Sequence, residues 1–198
     1  MKWTSKITVL YQLGLFILAG LVTGSISGFT MALEDESVGK SIIYAFVNLK
    51  ATGNFFELMY YGFLPTFLIL VFCFFNGFSV LGGFLRWFCA FCWGTAIGFI
   101  ATMLFKVYTN GFSYASIIFL PFSILFSLIV TLSLREAHKL SKNCYNILFG
   151  ENLPENKERL FKEYLVKLLL LLAAGLIISA IDAVINCLFF DFFKLYIE

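Results

Sequence analysis

The chain has 198 residues, of which 61% are hydrophobic and only 13% charged, with a net charge of +2. Soluble domains carry about 25% charged residues, so this composition excludes an ordinary water-soluble domain. The small net charge, with no basic stripe interleaved with aromatics, excludes a nucleic-acid-binding surface.

The first apolar segment spans residues 7–31, behind a basic start with Lys2, Trp3 and Lys6. Ser25-Ile26-Ser27 before Gly28 would pass as a signal-peptide cleavage site, but the run is longer than a usual signal core. It is therefore read as an uncleaved helix. Gly20, Gly24 and Gly28 recur at every fourth residue and form one stripe on it. In lipid such a stripe lets two helix backbones approach closely, because van der Waals packing replaces the hydrophobic drive. The partner helix lies in the same chain or in a second copy of it.

An outer segment follows, opening on Glu34-Asp35-Glu36. Its stretch SIIYAFVNLKATGNFF (Ser41–Phe56) spaces apolar residues for a short surface helix. Ile42, Ile43, Phe46, Val47, Phe55 and Phe56 make the segment from Glu34 to Glu57 a candidate interaction surface.

From Leu58 to Phe105 the chain carries one charge in 48 residues, Arg86. That is about twice the length needed to cross a bilayer core of roughly 30 Å. Spans are expected at 58–75 and 84–105, with turn chemistry at Asn76, Gly77, Gly82 and Gly83 between them. Arg86 and Trp87 read as an interfacial anchor, the long side chain reaching toward head groups. Gly94 and Gly98 repeat the small-residue spacing. Cys89 and Cys92 form a Cys-x-x-Cys among Phe88, Phe91 and Trp93, and read as packing residues because no second pair completes a metal site.

The fourth span covers 112–134 and carries Pro121, a candidate break. An inner loop at 135–165 follows, continuing as an amphipathic helix through Asn143, turning near Gly150–Asn156 and re-entering from about Glu158. The fifth span, 166–190, holds Asp182, the one acid well inside a span, with Ser179 and Asn186 at helical spacing from it. The trio is a candidate proton or cation site, or a polar contact to a neighbouring helix.

The fold expected is thus all-α: a polytopic membrane protein, a single domain over 1–198 built as a bundle of about five transmembrane helices. Ten of the 14 Lys and Arg residues fall in segments that are inner when the N-terminus is cytoplasmic. This predicts a cytoplasmic N-terminus and an extracytoplasmic C-terminus. A four-span alternative, with the third segment re-entrant, would place the basic 135–167 stretch outside.

No catalytic constellation is present: no zinc helix, nucleophile elbow, phosphate loop or pair of intramembrane aspartates. His138, the sole histidine, lacks companions for a metal. The expectation is a protein that is not an enzyme, with no cofactor and no metal.

The order of features resembles a known family. FILAGLVTGSISGF (Phe16–Phe29) leads to an outer segment of about thirty residues, then to FNGFSVLGGFLRW (Phe75–Trp87) and CWGTAIGFIATMLFK (Cys92–Lys106). The short turn TNGF (Thr109–Phe112) precedes FLPFSILFSLIV (Phe119–Val130), which ends in LREAHKLS (Leu134–Ser141) before a basic loop and a last helix. The whole is similar to the stage II sporulation protein M family, particularly its short versions from spore-forming Firmicutes. The resemblance implies a multi-pass protein of the bacterial cytoplasmic membrane without catalytic activity of its own. It would scaffold peptidoglycan-remodelling hydrolases during engulfment of the forespore. The partners implied are the lipid bilayer and other membrane or cell-wall-remodelling proteins, with homo-oligomerisation left open. The rival reading from the residues is a permease or the membrane subunit of a small-molecule transporter, motivated by Asp182, Asn186 and Pro121.

Overall fold

A computed structural model describes residues 2–33, 38–79, 82–148 and 157–193. The described chain is all-helical: α1 (Lys2–Ala32), α2 (Val38–Thr52), α3 (Phe55–Phe78), α4 (Gly82–Val107), α5 (Gly111–Tyr114), α6 (Leu120–Leu148) and α7 (Lys157–Phe193). A π-helical segment, Ala115–Phe119, joins α5 to α6 in one rod. Five helices are long and apolar enough to cross a membrane. Their surfaces are inverted relative to a soluble bundle. Leu18, Val22, Ile26, Leu170, Ile177 and Leu188 are exposed, whereas Thr66, Ser133, Ser179 and Asn186 are buried. Water would penalise that arrangement and lipid favours it.

The helices outrun the expected spans. α4 is continuous over 26 residues, about 39 Å at 1.5 Å per residue, which is a full-length rod and leaves no re-entrant hairpin in the third segment. Much of the expected 135–165 loop is helix as well, since α6 runs to Leu148 and α7 starts at Lys157. The turn expected at Gly150–Asn156 and the acidic Glu34-Asp35-Glu36 lie outside the described residues.

Two local expectations are corrected. Asn76 and Gly77 belong to α3, and Gly82 and Gly83 open α4, so none of the four lies between the helices. Gly77 is inside the helix because the Tyr164 hydroxyl packs where a side chain would stand. Pro121 does not break its span. The rod is π-helical just before it, with the Leu120 N–H bonded to the Ala115 carbonyl five residues back. This wider turn accommodates a residue that has no N–H to give.

α2 marks one end of the bundle. Its Ile43 and Val47 pack with Met103, Leu104, Tyr114, Ile118 and Phe190, from the last turns of α4 and α7 and the start of the α5–α6 rod. A second core, Leu13, Cys73, Ala90, Val130, Leu134 and Tyr164, fills the other half, toward the basic end.

Candidate functional site

Periodicity places Ile43, Val47 and Lys50 on one stripe of α2, and all three are buried. The cost of holding an ammonium there is met by α7. Lys50 Nζ donates to Asp182 Oδ2 at 2.7 Å, with both side chains 9% exposed. Asp182 Oδ1 accepts from Asn186 Nδ2 at 2.9 Å, and the same nitrogen donates to the Asp182 carbonyl at 2.8 Å. The chain of bonds ends at Tyr114, whose buried hydroxyl donates to Asn186 Oδ1 at 2.8 Å. Four side chains from three separate elements therefore close one network. Both carboxylate oxygens are occupied and the two charges cancel, the condition under which an ion pair is tolerated in an apolar interior. Ser179, expected on the same face, turns to α3, where its hydroxyl donates to the Met59 carbonyl at 2.6 Å.

Beside the network lies a cavity of about 230 Å³. Lys50, Asp182 and Tyr114 stand on its wall, and the remainder is largely apolar, with Phe46, Trp93 and Phe126 among the lining. Pro65 also lines it, and by lacking an N–H it leaves the carbonyl of Tyr61, another lining residue, without its helical partner.

The glycine stripes meet each other. A methyl group on Gly20 would fall on the Phe91 carbonyl oxygen, one on Gly24 on that of Thr95, and one on Gly28 within 2.9 Å of that of Phe99. In return, Gly94 faces the Ile17 carbonyl and Gly98 that of Leu21. α1 and α4 thus touch backbone to backbone within one chain. Arg86 lies at the other end with its guanidinium carbon 4.2 Å from the Trp87 ring centroid. Trp87 in turn packs on Phe16 of α1 at 4.8 Å between centroids. The Arg86 Nε and Nη1 atoms are covered and have no hydrogen-bond partner among the described residues. The pair is knitted to α1 in addition to standing at a span end.

Cys89 is half-buried, Cys92 exposed, and both are free thiols. Among the described residues no group of three or more His, Cys, Asp or Glu could hold a metal ion.

Sequence reading singled out Asp182 and Asn186 but missed Lys50 and Tyr114. The signal for Lys50 was present, since it completes the i, i+4, i+7 stripe begun by Ile43 and Val47. The outer segment also splits in two. Ile43 and Val47 point inward and Phe46 packs edge-on against Phe119 at 6.0 Å, whereas Ile42 and Phe56 are exposed. Only part of the expected surface is free. No family model, curated protein or solved structure matches the chain.

Proposed function

We propose that this protein is a non-enzymatic scaffold of the bacterial cytoplasmic membrane. Its N-terminus is cytoplasmic, and α2 lies on the extracytoplasmic side, where it presents a surface to peptidoglycan-remodelling proteins. The observation that carries the reading is the Lys50–Asp182 contact. An acid bonded on both oxygens and neutralised by a lysine is a clasp, and this one fixes α2 to α7. A clasped helix offers its opposite face in a constant orientation, and Val38, Ile42 and, just beyond the turn, Phe56 remain exposed on that side of the molecule. Preorganised presentation of that kind lowers the entropic cost of binding. The resemblance to the stage II sporulation protein M family supplies the partner class and the setting, engulfment during sporulation.

The test is a photo-crosslinking residue placed at Ile42 or Phe56 in native membranes, followed by mass spectrometry of the adducts. Cell-wall hydrolases or their membrane anchors are the expected captures. Recovery instead with a nucleotide-binding subunit, or uptake of a small solute that fails when Asp182 is changed to Asn, would replace the scaffold with a transporter. The cavity beside Asp182 would then be its substrate path.

A further inference from the structure

The end of the bundle away from α2 is strongly cationic. Among the described side chains there, Arg86, Arg135, Lys139, Lys142, Arg159, Lys162 and Lys167 face only two acids, Glu136 and Glu163. The charges are not scattered. Glu136 is buried, its side chain 8% exposed, and it gathers three cations on one carboxylate. Arg135 donates to Oε1 through Nε at 3.1 Å and Nη2 at 2.8 Å, Lys139 donates to the same oxygen, and Lys167 of α7 reaches Oε2 at 3.3 Å.

The cluster of four therefore keeps an excess of two positive charges. It also keeps spare donors. A guanidinium carries five N–H bonds and each ammonium three, and only four donor contacts are made to Glu136. A cavity of about 130 Å³ opens between α6 and α7 at this point, with Lys139 and Lys167 on its wall and Asn143 and Tyr164 beside them. That is room for about four waters at roughly 30 Å³ each, enough for a tetrahedral oxyanion. Glu163, the other acid on the wall, is held by Arg159 at 3.0 Å.

We propose that this cavity is a phosphate-binding site. A phosphate group brings several acceptor oxygens and one or two negative charges, and so matches both the unused donors and the excess charge. Glu136 does not compete with it. Its carboxylate is already bonded, and it holds the three cations in place in a site that would otherwise scatter by mutual repulsion. The position favours a lipid source. The cavity lies among charged turns beyond the apolar lengths of α6 and α7, and in a bilayer crossed by those lengths the phospholipid head groups would stand there.

The test uses the full chain, purified in detergent, stripped of lipid and examined by native mass spectrometry. Three probes are titrated: dioleoylphosphatidylglycerol, dioleoylphosphatidylcholine and inorganic phosphate. The wild type is expected to hold phosphatidylglycerol in preference to phosphatidylcholine, and the Lys139→Gln/Lys167→Gln variant to lose that preference by about tenfold or more. The Lys139→Arg/Lys167→Arg variant keeps the charge and should retain binding, which separates loss of the site from loss of the fold. Inorganic phosphate that binds the wild type, fails on the Gln variant and leaves the lipid no preference assigns the same site to a soluble phosphate ester. Equal behaviour of wild type and Gln variant toward all three probes overturns the proposal.

Discussion

Where α1 meets α4, Gly20, Gly24 and Gly28 lie against bare backbone; where α2 meets α7, a lysine lies against an aspartate. The first joint is a backbone seam between residues 17–28 and 91–99 that contains no charge, Lys106 reaching the Phe29 ring only beyond its end. Its strength is a sum of small dispersion contacts made possible by missing side chains. The second is concentrated in one pair and its two polar neighbours. The two joints should therefore fail differently. The dry seam should weaken by degrees, one position at a time, whereas half of the ion pair is worse than none.

The largest expected effect follows from that asymmetry. Asp182→Ala leaves the Lys50 ammonium buried without its counter-charge and should cost about 3–5 kcal/mol. The cost is read as a lower unfolding midpoint in detergent and as faster proteolysis of α2. Lys50→Met combined with Asp182→Leu removes both charges and should recover most of the loss. If the double variant is as unstable as the single one, the contact is not an electrostatic clasp and the contrast between the joints collapses.

A smaller effect is expected at the seam. Gly24→Ala puts a methyl on the Thr95 carbonyl, so the helices must separate locally, at a cost of about 1–3 kcal/mol. Engineered cysteines on α1 and α4 near this level should crosslink more slowly in the variant. Unchanged crosslinking and an unchanged midpoint would mean that the two backbones do not touch in the membrane.

The same contrast governs what could be read from sequence. The five spans and the glycine seam are carried by local spacing, so periodicity alone exposes both stripes. Which helix Gly20–Gly28 meets is not local, and it became visible only when Gly94 and Gly98 were found facing Ile17 and Leu21. The clasp was half legible. Asp182 stands out as an acid among apolar residues, but its partner is 132 positions away in a segment read as surface. Lys50 on an apolar stripe is a buried charge in search of an acid, and a single intramembrane acid was available. Tyr114 left no such mark, because an aromatic at the start of a span reads equally as an interfacial residue. The expected turn at Asn76-Gly77 failed for a physical reason: glycine there serves the approach of Tyr164 and not a reversal of the backbone.

The smallest effect sharpens the seam most, because its sign should reverse. Gly14 is in α1 too, but it stands six residues before Gly20, off the repeat of four, and a methyl added to it would meet nothing within 4 Å. Glycine inside a helix costs about 0.5–1 kcal/mol relative to alanine when no neighbour requires it. Gly14→Ala should therefore raise the unfolding midpoint slightly, while Gly24→Ala, ten residues along the same helix, lowers it. If both substitutions destabilise alike, α1 as a whole rejects side chains and the stripe is not special. Opposite signs in one helix, from one chemical change, would tie the cost to contact with α4, since that contact is what distinguishes the two positions.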